Sequence, residues 1–188
     1  VPALRWADIG SDHFGVAVLN NSKYGFDALG SRLRAHVIRT SYEPDPVSDR
    51  GRADHSSFAI VPHLGTWADA GIPRLAAAFN TSVPARFSTG PASTGPAEPA
   101  PDWRPRLVDE GTVVIAALKY AHRGEGTRVI RLYESAGRHA ATRLAGLPAD
   151  AVVYDATPVE TPLRRLAAHH GTVDLTFRPF QVRTLLVD

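Results

Sequence analysis

The sequence predicts an all-β fold, an antiparallel β-sandwich carrying one or two short helices. Three observations predict it. Short runs rich in Val, Ile, Leu, Phe and Tyr recur along the 188-residue chain. Turn residues separate these runs at spacings of roughly 8–12 residues, the rhythm of two packed sheets. Helical periodicity is clear in one segment only.

The elements follow in order. "HFGVAVLN" (13–20) is apolar and bounded by polar turns, so it predicts a strand. "LNNSKYG" (19–25) is a polar turn. "SRLRAHVIRT" (31–40) alternates, with Leu33, Ala35 and Val37 on one side and Arg32, Arg34 and His36 on the other. "SYEPDPVSDRG" (41–51) reads as a long exposed loop. "HSSFAIVPH" (55–63) is a third strand, expected to end at Pro62, which cannot donate to a ladder. In "TWADAGIPRLAAAFN" (66–80), Ile72, Leu75, Ala76 and Phe79 fall at i, i+3, i+4 and i+7. Proline is tolerated at a helix start, so Pro73 places that start near Ile72, and Asn80 is the expected stop.

Residues 88–102, "STGPASTGPAEPAPD", are rich in Pro, Gly, Ala and Ser. Too little apolar surface is available there to offset ordering entropy, so a mobile loop is expected to divide the chain. Beyond it, "TVVIAALKY" (112–120), "TRVIRLYES" (127–135) and "RHAATRLAG" (138–146) predict three strands joined by hairpin turns at "AHRGEG" and "AG". "AVVYDAT" (151–157) predicts another. "PVETPLRRLAAHHG" (158–171) reads as a short helix or a loop, and "GTVDLTFRPFQVRTLLVD" (171–188) as two strands meeting at Pro179.

The composition is that of a globular chain, 44% hydrophobic and 21% charged, with a formal net charge of +2. Lys and Arg are scattered without a basic run, so neither nucleic acid nor a membrane surface is expected as a partner. Cysteine is absent, which excludes disulfides and thiolate metal sites within the sequence. Methionine is absent too, and the opening "VPALRW" suggests either a piece of a longer protein or loss of an initiating methionine.

Catalytic frames are missing from the sequence. Its eight histidines show neither the i, i+4 spacing of a helical zinc site nor HExxH. There is no GxSxG elbow and no phosphate-binding loop. Asp45 and Asp49 share the 41–51 loop, where turn formation explains them more simply than paired acid–base chemistry does. Trp6, Tyr24, Phe26, Tyr42, Trp67 and Trp103 could stack on sugar rings or plug the ends of a core.

The stretch from Gly15 to Thr40, "PDPVSDRG" (44–51) and "HSSFAIVPHLGTW" (55–67) resemble the C-terminal β-sandwich region of glycoside hydrolase family 38 α-mannosidases. The similarity is greatest to the cytosolic, metal-dependent branch. "AAAFN" (76–80), "VIRLYESAGRHA" (129–140) and "FRPFQVRTLLV" (177–187) resemble further family segments in the same order. The sequence departs from the pattern at Gln181, where the family usually has Glu, and near Ala53, where residues are inserted before His55.

The resemblance implies that 1–188 is a non-catalytic C-terminal region with two sub-halves, 1–87 and 103–188. It implies a separate N-terminal catalytic domain, holding zinc or another divalent metal, as partner in the same chain. It also implies mannose-containing glycans as substrate and a cytoplasmic location. Asn20, Asn21, Lys23, Tyr24, Asp45, Asp49 and Arg50 are the expected residues of a substrate edge or an interdomain face. No catalytic or metal-binding residue is expected within the chain. A free-standing carbohydrate-binding module is the alternative, and a ligand-free adhesion-type domain a third.

Overall fold

A computed structural model describes residues 1–38, 55–81, 103–109, 111–124 and 126–188. The chain divides into two compact units, Val1–Pro84 and Ala85–Asp188. The expected loops at 41–51 and 88–102 lie outside the described residues.

The first unit contains β1 (Trp6–Gly10), β2 (Phe14–Asn20), β3 (Gly25–Leu29), β4 (Arg32–His36), β5 (Phe58–Leu64) and α1 (Ile72–Phe79). β1, β2 and β5 form an antiparallel sheet in the order β1-β2-β5, and β3 pairs with β4 as a hairpin. Register decides the two faces of the larger sheet. Trp6, Leu19 and Ala59 lie side by side, as do Asp8, Ala17 and Val61. This face packs on α1, burying Ile72 and Ala76 completely against Ala17 and Leu19. Trp6 and Trp67 meet here with ring centroids 5.1 Å apart.

The helix occupies the predicted span. Pro73 sits in its first turn, where the missing N–H leaves no bond unmade. At its other end Asn80 Nδ2 donates to Ala76 O (2.9 Å) and to Asn20 O (3.0 Å), tying the helix terminus to the end of β2. β5 continues past Pro62 to Leu64, contrary to the expected stop. Among the described residues it is an edge strand with a single neighbour, so a residue without an N–H is tolerated. Next to Pro62, His63 Nε2 lies 2.8 Å from Asp8 Oδ1, both side chains nearly buried. The ring spans Gly15 of the intervening strand, where an added Cβ would come within 2.6 Å of it.

The second unit contains β6 (Arg106–Leu107), β7 (Val113–Tyr120), β8 (Arg128–Glu134), β9 (Ala140–Ala145), β10 (Val153–Ala156), β11 (Pro162–Leu166), β12 (Val173–Phe177) and β13 (Val182–Val187). They form two antiparallel sheets, β11-β10-β13-β8-β7 and β12-β9-β6. Ile130, Leu132, Val153, Leu185 and Val187 from the larger sheet meet Leu144, Val173, Leu175 and Phe177 from the smaller in one core. This is the predicted sandwich. Alternation is plain in β12, where Val173, Leu175 and Phe177 are buried and Asp174 and Thr176 exposed.

Two expectations are corrected. β8 and β9 are not a hairpin: β8 pairs with β7 and β13, β9 with β6 and β12, so the connection at "AG" crosses between the sheets. Glu134 is the cause. Its carboxylate is buried and accepts the N–H groups of Ala136 (2.9 Å), Gly137 (2.7 Å), Arg138 (3.1 Å) and Phe180 (3.0 Å). Three successive backbone donors converging on one anion bend the chain out of its strand. Gly137 has φ +70°, and a Cβ there would lie 2.6 Å from the Phe180 ring. The other correction concerns 158–171. The second short helix is not present, and the segment supplies edge strand β11. Pairing with β10 sets Arg164 opposite Asp155, whose carboxylate it contacts at 3.2 Å.

A buried ion pair crosses this sandwich. Arg183 on β13 donates from Nε (3.1 Å) and Nη2 (2.7 Å) to Asp155, and from Nη1 to Thr176 O on the opposite sheet (3.1 Å). Its fork is therefore largely satisfied, as a buried guanidinium requires. Outside the sandwich, Glu160 accepts the His122 N–H (2.7 Å) and pairs with Lys119, fastening the β10–β11 turn to the end of β7.

Burial alone would raise the Glu134 carboxyl, but hydrogen bonds from Thr112 and from the Phe180, Ala136 and Arg138 backbone outweigh it and hold the group at about 2, against an ordinary 4.5. The folded state therefore favours the carboxylate. Its contribution, on the order of 3 kcal/mol, is complete above pH ~5 and is lost as pH falls toward ~2. Glu134→Gln is expected to reduce stability at neutral pH by about 2–4 kcal/mol and to flatten the acid limb between those values. Urea unfolding of both proteins at pH 7 and pH 3 measures this, and an unchanged acid dependence would contradict it. Gly15→Ala should displace His63 from Asp8 and destabilise by about 1–3 kcal/mol, read in the same titration.

Candidate functional site

The polar turn after β2 is built on side chains that bond inward. Asn20 is fully buried, and its Nδ2 donates to Ala3 O (3.3 Å). Asn21 Oδ1 accepts the Ser57 N–H (3.0 Å) and the Ser22 hydroxyl (3.1 Å). Ser22 also lies 3.0 Å from the Ser56 hydroxyl. These bonds pin the turn to the residues that lead into β5. The amide-rich sequence is thus explained largely by turn construction.

What the turn presents outward is a groove of about 770 Å³ lined by Lys23, Tyr24, Gly25, His36, Val37 and Ile38, with Val1, Pro2, Ser22 and Phe26 completing it. Tyr24 is half-exposed. Gly25 lies opposite His36 in the β3–β4 register, and a Cβ there would come within 3.1 Å of the His36 side chain, so glycine keeps that wall open. His36 Nε2 is 2.8 Å from Asp27 Oδ2, and Arg34 Nε donates to Asp27 Oδ1 at 2.6 Å. The Arg34 hydrogen bond, reinforced by His36 and opposed by partial desolvation, holds the Asp27 carboxyl below the usual carboxylate range. The groove therefore combines an aromatic ring and aliphatic walls with an imidazole oriented by a carboxylate.

Of the expected residues, the structure brings Lys23 and Tyr24 together on this groove. Asn20 and Asn21 do not line it; their side chains bond Ala3, Ser22 and Ser57. Asp45, Asp49 and Arg50 lie outside the described residues. Asp27, Arg34 and His36 were not singled out, although the alternation of 31–40 already places Arg34 and His36 on one side. Among the aromatics, Trp6 and Trp67 belong to the core of the first unit, Phe26 is buried, and Trp103 packs on the core of the second. Tyr42 lies outside the described residues.

The groove offers the half-exposed Tyr24 ring for stacking, with the polar side chains of His36 and Ser22 beside it. Among the described residues no cluster of three or more His, Asp or Glu could hold a metal ion. None of the described helices is long and apolar enough to cross a membrane.

Comparison with known proteins accounts for the two units. Residues 1–47 match the glycosyl hydrolases family 38 C-terminal domain. Residues 112–185 match the glycosyl hydrolases family 38 C-terminal beta sandwich domain. The chain is 36% identical over 191 residues to Alpha-mannosidase 2C1 of Mus musculus, covering 98% of this chain and 18% of that protein. It is 34% identical over 189 residues to Alpha-mannosidase 2C1 of Homo sapiens, with the same coverage of 98% and 18%. Alpha-mannosidase G of Dictyostelium discoideum is 29% identical over 133 residues, 71% of this chain and 12% of the relative. The chain thus spans under a fifth of the length of the relatives it matches. With a described β-sandwich in the span matched by the second model, the chain belongs to the C-terminal region of glycosyl hydrolase family 38.

Proposed function

We propose that this chain is the non-catalytic C-terminal region of an α-mannosidase that hydrolyses α-mannosides in mannose metabolism. The observation that carries the reading is similarity over 98% of the chain to a protein named Alpha-mannosidase 2C1. On this reading the preceding part of the same polypeptide is the catalytic domain and holds the divalent metal, assigned here as zinc. The chain from 1 to 188 is one such region, its halves joined through 88–102. A cytoplasmic location is part of this proposal, and the resemblance of the Gly15–Thr40 stretch to the cytosolic branch supports it.

The role of these residues is to buttress the catalytic domain and edge its sugar site. Tyr24, Lys23 and His36 are suited to the edge, because one ring can stack while neighbouring groups bond hydroxyls. Asp45, Asp49 and Arg50 are assigned to the same edge from the sequence alone. A specific observation also favours the alternative reading as a free-standing carbohydrate-binding module: Tyr24 stands half-exposed on a groove present in this chain.

The full-length enzyme, supplied with zinc, is expected to cleave an aryl α-mannoside, and the 188-residue chain alone to leave it intact. Turnover by the shorter chain would overturn the reading. Tyr24→Ala in the full-length enzyme should raise KM several-fold with little change in kcat; an unchanged KM would remove Tyr24 from the sugar edge. Titration of the 188-residue chain with mannose and mannobiose separates the two readings. Saturable millimolar binding lost in Tyr24→Ala supports the module, and a flat titration removes it.

A further inference from the structure

We infer that the outward face of the β1-β2-β5 sheet is the surface on which the preceding polypeptide of the full-length enzyme packs. This inference rests on the reading above and names the face involved. The register sets two rows across the sheet, Ile9–Val16–Pro62 and Ala7–Val18–Ile60, on the side opposite α1. Phe14 and Leu64 pair at one end of the same face. No residue in these rows is charged.

The face is open. Ile60 is 72% exposed, Leu64 80% and Phe14 53%. A strand facing water usually alternates apolar and polar residues, but β5 reads Phe58, Ile60, Pro62 and Leu64 outward. Contiguous apolar surface of this kind marks a contact with another surface.

The occupant is argued from length, position and edge chemistry. The relatives are more than five times the length of the matched region, since it covers 18% of each. Both matching family models are C-terminal domains, which puts the remainder ahead of this region. The edge of β5 that no described strand pairs carries Pro62, which cannot donate, so strand-to-strand addition of a second copy is disfavoured and docking by the face is favoured. The expected partner surface is apolar and uncharged, because an unpaired charge desolvated against these rows would be costly.

Accessibility of a thiol within the full-length enzyme tests this. Ile60→Cys and, as a reference, Val159→Cys at a position 83% exposed in the second unit are each labelled with a maleimide, and the modified peptide is quantified by mass spectrometry. Cys is tolerated at an open position, so both variants should fold; Leu64→Cys repeats the measurement at a second site. The expected result is labelling at position 60 at least about tenfold slower than at 159, independent of protein concentration. Equal rates would overturn the inference. Protection that vanishes on dilution would overturn it too, assigning the face to a second copy. Activity of the unlabelled enzyme on an aryl α-mannoside is measured in parallel. An active enzyme with equal labelling faults the face and leaves the functional reading standing, whereas protection without activity faults that reading.

Discussion

One buried carboxylate sets the path of the second unit. Glu134 collects four backbone N–H groups, three from the turn that follows it and one from Phe180. The first three swing the chain from the larger sheet into the smaller. The fourth fastens the turn that leads into β13, the strand between β8 and β10. Without the anion these donors would be left desolvated and unpaired, a penalty of about 1–3 kcal/mol each. The strands that bury Leu132, Leu144 and Leu185 against one another are therefore aligned by a polar contact at their margin.

This also explains why the fold class was legible while one connection was not. Period-two alternation marks the strand through Val173, Leu175 and Phe177, and apolar runs bounded by turn residues mark 112–120 and 127–135, all of them local signals. Whether two successive strands pair depends on partners distant in sequence. Glu134 and Phe180 are 46 residues apart, and no periodicity reveals their contact. The helix at Ile72–Phe79 was readable because its apolar stripe and Pro73 agree. β1, β3 and β6 are short, β6 being only two residues long, and too brief for a clear period-two pattern. β11 was obscured because "LRRL" suits either a helix turn or an exposed edge, and Asp155 on a neighbouring strand decides between them.

The candidate site was half legible. A run of Asn, Ser, Lys and Tyr signals a turn and a polar surface, and the groove does form there. Direction is what the sequence withholds. Asn20 is buried by Ala3 and Asn80, and Asn21 is bound to Ser57, leaving Tyr24 and Lys23 to face outward with His36 from the paired strand. The first unit thus offers two unlike surfaces. Its groove is small, mixed and suited to a polar ligand. Its outward sheet face is apolar, with Phe14, Ile60 and Leu64 exposed.

The account stands on the claim that these β units support glycosidic cleavage carried out elsewhere in the polypeptide. An experimental structure of the full-length enzyme with its metal and a mannose-derived inhibitor tests that most directly. The account predicts metal and sugar held by residues preceding this region, with Tyr24 at the rim of the sugar site. Metal ligands or the catalytic carboxylate drawn from within these 188 residues would contradict it.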